Sequence, residues 1–236
     1  MQQTAYGSHL IQLTRFPRLF PINAYLVRED DGLTLIDTGI AGCAPAILAA
    51  AHMADAPIRR IALTHAHMDH AGALDALHAA LPEAEILVPT REARFLAGDL
   101  TLDPAEELPG AKLRGSWPTV TTRPTRTLMA GDQIGSLCVV AAPGHTPGLV
   151  AYLDERDGTL IAGDAFQTRG GIAVSGTLRP LFPFPAFATW HKPTALASAR
   201  ALQSLTPTRL AVGHGPVIEN PQAAIDAAIA AAARAE

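Results

Sequence analysis

The stretch LTHAHMDHAG, residues 63–72, places four side chains that commonly bind metals within six positions. It follows the apolar segment IRRIALT, which predicts a β-strand. Side chains two positions apart on a strand point the same way, so His65 and His67 should face one point from the strand's end. Asp69 and His70 begin a predicted helix and can approach that point from another direction. Since imidazole and carboxylate groups are common ligands of divalent metals, the stretch predicts a metal site.

Three further residues of ligand type lie at the ends of predicted strands. His145 stands in APGHTPG, Asp164 in LIAGDAF and His214 in LAVGHGP, each next to a glycine. A glycine allows the backbone to approach a ligand closely. The alternative is that His65 and His67 form a surface pair with no metal-binding role. The presence of seven ligand-type residues near predicted strand ends does not favour that alternative.

The order of predicted elements indicates an α/β protein. INAYLVRE and GLTLIDTG read as two strands joined by a turn. A helix, a strand, a second helix over MDHAGALDALHAALP and another strand follow. Residues 90–127 are predicted to form a short helix followed by an irregular surface segment. Residues 170–189 are irregular and rich in proline, and we expect substrate contacts in both stretches. The last predicted elements are a helix, a strand and an alanine-rich helix. Hydrophobic residues make up 48% of the chain and supply a sizeable core.

The motifs THAHMDHAG, PGHTPG, GD after a strand, and GHG, in this order, resemble those of the metallo-β-lactamase fold superfamily. The resemblance is to the metallo-hydrolase branch, which includes glyoxalase-II-like and lactonase-like enzymes, and it runs from NAYLV to GHGP. It implies a single domain over residues 1–236. It also implies an α/β four-layer αβ/βα sandwich in which two mixed sheets are flanked by helices.

The same resemblance implies a ligand set for two metal ions. One ion would be held by His65, His67 and His145, the second by Asp69, His70 and His214, and both by Asp164. Asp37, in LIDTG, matches an aspartate that lies near the metals in this superfamily. We expect it to orient a ligand histidine. The alternative for Asp37 is a helix N-cap or turn aspartate.

The chemistry expected of such a site is hydrolysis. Two divalent ions, zinc in the first place with iron or manganese as alternatives, would share a hydroxide that attacks an ester, thioester or lactone. Asp69 is the predicted catalytic residue, because it can hold the nucleophile or pass a proton to the leaving group. The alternative function is an iron-dependent oxidoreductase, similar to the persulfide dioxygenases, on the same scaffold.

The substrate is less constrained by the sequence. None of the three tyrosines lies between Asp164 and His214, where lactonases of this fold commonly carry one. Nine of the 22 residues after His214 are alanine, which does not favour a glutathione thioesterase. His191, Phe166 and Trp190 are candidates for substrate contact. The alternatives are that His191 lies at a helix start or on the surface, and that Phe166 and Trp190 pack in the core.

Charge and hydropathy narrow the classes of partner. The formal net charge is −4 and there is no run of lysine or arginine, so we expect no nucleic-acid or membrane partner. The first residues show no basic segment followed by an apolar one, so the expected location is cytoplasmic. We expect a small-molecule substrate and a homodimer.

Overall fold

The computed structural model describes residues 1–235, and its backbone contacts divide the chain into two compact units. Unit 1 consists of residues 1–98 and 116–128, and unit 2 consists of residues 99–115 and the chain from Met129 onward. Each unit is built on its own mixed sheet with helices packed against strands. The predicted α/β class with two mixed, helix-flanked sheets is confirmed, and the single domain over 1–236 stays a prediction. Within residues 1–235, no helix has both the length and the apolar character needed to span a membrane.

Unit 1 contains a seven-stranded sheet whose strands follow the order of the chain. The strands are β1(Gln2–Tyr6), β2(Leu10–Arg15), β3(Ile22–Glu29), β4(Gly32–Ile36), β5(Ile58–Ala62), β6(Glu85–Pro89) and β7(Arg126–Leu128). β1 to β4 pair antiparallel, and β4 to β7 pair parallel. The helices are α1(Ala44–Met53), α2(Met68–Ala71), α3(Leu74–Ala80) and α4(Thr90–Leu96).

The register of the parallel strands positions the first ligand cluster. β4 is buried along its whole length, as expected for a continuous apolar run covered on both faces. Ile36 at its end lies beside Ala62 at the end of β5. The next residue, Asp37, donates its backbone N–H to the Ala62 carbonyl over 2.9 Å. Because parallel strands end at one edge of the sheet, Asp37 reaches the segment that carries the histidines.

The helix predicted over MDHAGALDALHAALP is two helices, α2 and α3, and this is a correction of the sequence reading. The break falls at Gly72, whose N–H donates to the Gly39 carbonyl over 2.9 Å. A Cβ at Gly72 would lie 2.4 Å from the Met68 carbonyl oxygen and 2.9 Å from the Ala41 nitrogen. The contact with the neighbouring loop therefore requires glycine and interrupts the helix.

Unit 2 contains a six-stranded sheet and a two-stranded one. The strands of the first, in spatial order, are β15(Ile218–Glu219), β14(Arg209–Ala211), β11(Thr159–Ile161), β10(Val150–Asp154), β9(Leu137–Ala141) and β8(Gln133–Ile134). The second pairs β12(Phe166–Gln167) with β13(Ala173–Val174). The helices are α5(Phe184–Phe187), α6(Lys192–Gln203) and α7(Gln222–Ala233), and single 3₁₀ turns form at Pro104–Glu106 and Gly163–Ala165.

The core of unit 2 is rich in small side chains. Ala195 and Ala199 of α6 and Ala228 of α7 pack in one buried cluster with Phe166 and Ile225. Small residues allow the two helices to lie close together and against the strands beneath them. The alanine-rich segment therefore forms α7, which buries one face in this core through Ile225, Ala228, Ile229 and Ala232.

In unit 1, the irregular stretch 116–125 before β7 is fastened to α3 by one carboxylate. Asp75 Oδ1 accepts hydrogen bonds from the Thr122 N–H (2.8 Å) and hydroxyl (2.6 Å). Asp75 Oδ2 accepts from the Thr121 N–H (2.9 Å) and hydroxyl (3.1 Å). Partial burial acts to raise the pKa of Asp75, but the four hydrogen bonds outweigh it and lower the pKa to about 2.

This anchor predicts a pH-dependent loss of stability for Asp75→Ala. The folded-state pKa lies below the ordinary value of 3.8, so the carboxylate stabilises the fold above pH 4 and loses this effect as the pH falls toward 2. Allowing for solvent screening at this partly exposed site, we expect the free energy of unfolding to fall by about 1 kcal/mol at pH 7. Urea unfolding at pH 7, 4 and 2.5 measures it, with the exposed Asp30→Ala as control. An equal difference at all three pH values would contradict the assignment.

Candidate metal centre

The ligand cluster of unit 1 gathers three buried histidines and a half-buried aspartate. His65 Nε2 lies 3.2 Å from His67 Nδ1. Two nitrogens bound to one tetrahedral zinc at about 2.0–2.1 Å would be roughly 3.3–3.4 Å apart, so this spacing suits shared ligation. The rings of His65 and His70 are 4.1 Å apart between centroids. A carboxylate oxygen of Asp69 and a nitrogen of His70 lie within 4.8 Å of each other.

Asp37 lies behind this cluster and contacts one of its members, His70, and also Thr64, the residue before His65. It is 2% exposed, and its backbone has a φ of 60°, an uncommon conformation that aspartate tolerates better than most residues. Its Oδ1 accepts from the Thr64 N–H over 2.8 Å, and its Oδ2 accepts from the Thr64 hydroxyl over 2.8 Å. His70 Nδ1 lies 2.7 Å from the same Oδ2. The geometry is that of a carboxylate that holds a histidine ring in place.

These hydrogen bonds determine which ring nitrogens carry protons in unit 1. Because a carboxylate only accepts, His70 donates from Nδ1, and in the neutral ring Nε2 then carries the lone pair. The Thr64 hydroxyl gives its proton to Asp37, so its oxygen accepts from His65 Nδ1 over 3.0 Å. His65 Nε2 therefore also keeps its lone pair, which is the form of imidazole that binds a metal.

The ligand-type residues of unit 2 converge on one oxygen atom. Asp164 Oδ2 lies 3.4 Å from His145 Nε2 and 3.2 Å from His214 Nε2. All three side chains are at most 3% exposed. They come from the turn after β9, the 3₁₀ turn after β11 and the loop after β14, so the ends of separate strands supply them.

A chain of hydroxyls fixes the tautomer of His145. The Thr189 hydroxyl donates to the Pro185 carbonyl over 2.7 Å. Ser175 must then donate to Thr189 (2.9 Å) and accept from His145 Nδ1 (2.9 Å). The lone pair of His145 Nε2 consequently faces the Asp164 carboxylate. A neutral imidazole nitrogen and a carboxylate oxygen that face each other in a buried site are ligands a divalent metal can share, so the residues present fit a bound metal.

Two glycines permit the tight backbone around these ligands. A Cβ at Gly144 would lie 2.3 Å from the Ala195 Cα, and one at Gly215 would lie 2.3 Å from the Thr168 Oγ1. Both residues have a φ between 110° and 145°. Any larger residue would push the neighbouring His145 or His214 out of position.

Three residues that touch the ligands, and a fourth that holds the backbone between two of them, have no motif in the sequence. The half-buried Trp117 stacks edge-on against His67, with 4.6 Å between ring centroids. Glu92, buried in α4, accepts the Ala66 N–H between the two histidines over 2.8 Å. Ser175 and Thr189 form the hydroxyl chain. The only signal in the sequence was that Trp117 falls in an irregular segment expected to hold substrate contacts.

The three candidates for substrate contact lie in different environments. Phe166 is fully buried in the core of unit 2, so it is removed from the candidates. Its large apolar ring fills space between helices, as the core-packing alternative described. His191 is the N-cap of α6 and accepts the Thr194 N–H at Nδ1, as the helix-start alternative described. Trp190 is 5% exposed, and together with His191 it lines a surface cavity.

Comparison of the sequence with known proteins shows which family the chain resembles. A sequence profile described as the Metallo-beta-lactamase superfamily matches residues 17–214. The chain is 47% identical over 211 residues to the uncharacterized protein YobT of Bacillus subtilis strain 168, covering 89% of this chain and 90% of YobT. It is 29% identical to the probable metallo-hydrolase YflN of the same organism, covering 82% of this chain and 80% of YflN.

Solved structures contain the same fold. The crystal structure of TTHA1623 in a di-iron-bound form superimposes with a TM-score of 0.67 at 29% identity. The aligned part covers 90% of this chain and 96% of that chain. The similarity therefore extends over nearly the whole molecule.

Proposed function

Because the chain belongs to the Metallo-beta-lactamase superfamily, we propose that it is a metal-dependent hydrolase that cleaves an ester, thioester or lactone bond in a small molecule. The name of YflN, probable metallo-hydrolase, supports the reaction class. The observation that carries the proposal is the placement of Asp164 Oδ2 within 3.4 Å of two buried histidine nitrogens. Such an arrangement is stabilised by a cation.

The assignment of ligands to two ions follows the family pattern. We propose one ion on His65, His67 and His145, a second on Asp69, His70 and His214, and Asp164 on both. The chemistry that two divalent ions supply in such a site is a lower pKa for bound water and polarisation of a carbonyl oxygen. Zinc is the metal proposed, because neutral imidazole and carboxylate suit it.

The protein's own residues prepare the site for this reaction. Thr64 and Asp37 hold His65 and His70 with their Nε2 lone pairs available, and Ser175 does the same for His145. Asp69 is proposed as the catalytic residue that accepts a proton and delivers it to the leaving group. The cytoplasmic location and the homodimer stay predictions.

Metal analysis of protein purified without added metal tests this function. We expect about two zinc ions per chain and hydrolysis of simple esters, thioesters or lactones. Chelation should abolish turnover, and added zinc should restore it. One iron per chain, together with oxygen consumption on a persulfide, would overturn the proposal in favour of the oxidoreductase. A di-iron content with hydrolytic activity would correct only the metal, since imidazole and carboxylate also bind iron.

A further inference from the structure

The backbone that carries His65 and His67 continues beyond the end of β5 at Ala62. Buried N–H groups outside a strand need acceptors from elsewhere in the chain. Three alternating N–H groups of this segment have such acceptors, each from a different part of unit 1. The Thr64 N–H donates to Asp37 Oδ1, the Ala66 N–H to Glu92 Oε2 and the Met68 N–H to the Ser116 carbonyl, each over 2.8 Å.

Glu92 supplies the acceptor that lies between the two ligand histidines. Its side chain is fully buried and reaches from the first turn of α4 to a residue 26 positions earlier in the chain. An apolar side chain would occupy a buried position at a smaller desolvation cost than a carboxylate. The presence of a glutamate here is therefore accounted for by the group that it binds, the Ala66 N–H.

The helix α4 also supports the ring of His67. Phe95 lies three positions after Glu92, so both side chains are on the same side of the helix. The Phe95 ring packs on Trp117 with 4.6 Å between ring centroids, and Trp117 packs edge-on against His67 with the same separation. One side of α4 therefore holds the backbone before His67 and, through Trp117, the ring of His67 itself.

The hydrogen bond to Glu92 bears directly on the spacing of the two imidazoles. Ala66 alone separates His65 from His67 in the chain, so a rotation of its peptide units moves one ring relative to the other. His65 Nε2 lies 3.2 Å from His67 Nδ1, a separation that suits two ligands of one ion. Without Glu92 the buried Ala66 N–H would lose its acceptor, and the peptide would turn toward another one.

We propose that Glu92 is a positioning residue that fixes the backbone between His65 and His67 and thereby sets the affinity for the metal ion they hold. The proposal rests on the proposed function, which assigns both histidines to one ion. Glu92 acts through the Ala66 N–H, so its hydrogen bond and not its negative charge is the property that matters.

Two conservative variants separate the hydrogen bond from the charge. Glu92→Gln keeps a side-chain oxygen at the same reach, and Glu92→Asp keeps the charge on a side chain one methylene shorter. Zinc affinity, measured by chelator competition, should stay near the wild-type value in Glu92→Gln and fall about 10- to 100-fold in Glu92→Asp. The visible absorption of the Co²⁺-loaded protein, which depends on coordination geometry, should change only in Glu92→Asp.

Two controls exclude a general loss of structure. Glu83→Gln changes an exposed glutamate of unit 1, and Leu77→Ala removes a buried side chain of α3, a helix that contains no ligand. Leu77→Ala should lower stability toward urea but leave zinc affinity and the Co²⁺ spectrum unchanged, and Glu83→Gln should change none of them. The positioning role is overturned if Glu92→Asp binds zinc like the wild type, if Glu92→Gln is as weak as Glu92→Asp, or if Leu77→Ala loses as much affinity.

Failure of this role and failure of the hydrolase function give different results. If the wild-type protein binds zinc but cleaves no ester, thioester or lactone, while the variants keep the expected order of affinities, the function fails and the positioning role stands. If the wild type is an active hydrolase and both Glu92 variants bind zinc as tightly as it does, only the positioning role is overturned.

Discussion

Replacing Asp164 by alanine is expected to remove at least one metal ion per chain and to lower kcat/KM by more than about 100-fold. Its Oδ2 lies between the Nε2 atoms of His145 and His214, so the substitution leaves two imidazoles without the carboxylate they share. Losing a group that only holds a ligand typically costs about 10- to 100-fold in affinity or activity, so losing Asp164, which we propose as a ligand of both ions, should cost more.

Metal content and turnover are measured on the same preparation of the Asp164 variant. Asp30→Ala, an exposed change of the same kind in unit 1, should leave both at the wild-type level. Far-ultraviolet circular dichroism shows whether the variant remains folded. Wild-type metal content and an unchanged rate in folded Asp164→Ala would refute the bridging role.

Asp37→Ala is expected to lower both metal affinity and stability. Three donors, the Thr64 N–H, the Thr64 hydroxyl and His70 Nδ1, lose their shared acceptor in a buried site. Each unsatisfied buried donor costs about 1–3 kcal/mol, so we expect the free energy of unfolding to fall by about 3 kcal/mol or more. Metal affinity should fall about 10- to 100-fold, because His70 is no longer held.

The matched variant Asp37→Asn separates orientation of the ligand from stability. Asparagine tolerates the φ of 60° and keeps an oxygen for the Thr64 N–H, so most of the stability should remain. Its amide would face His70 Nδ1 as a donor and shift the ring proton to Nε2, the nitrogen that should bind metal. Chelator competition should therefore show weak binding in a folded protein. Wild-type affinity in Asp37→Asn would refute the orienting role.

The layered order of strands and helices was predictable because it depends on local patterns. The strands Ile22–Glu29 and Gly32–Ile36 are apolar runs bounded by turn residues, and the structure has them where the pattern indicates. The helix predicted after the histidines could not be divided correctly from sequence. Its break depends on contact between Gly72 and the loop at Gly39, residues 33 positions apart.

Residues of ligand type were recognisable because the chemistry requires histidine and aspartate next to strand ends. The residues that support them were not, since serine, threonine, glutamate and tryptophan occur at many positions without such a role. Ser175 contacts His145 from 30 positions away, and Trp117 contacts His67 from a segment without regular pattern. Phe166 illustrates the opposite error, because an aromatic residue near a ligand motif can equally belong to the core.

The sequence by itself therefore determined the α/β class, the family and the identity of the ligand-type side chains, because each depends on short-range pattern and residue chemistry. Only the tertiary structure decided which nitrogen of His65, His70 and His145 carries a proton, because that depends on hydrogen bonds between distant segments. It also decided that residues 109–110, 114, 186–187 and 189–193 line one cavity of unit 2. Strand register and contacts between loops bring such side chains together, and a local sequence pattern does not contain that information.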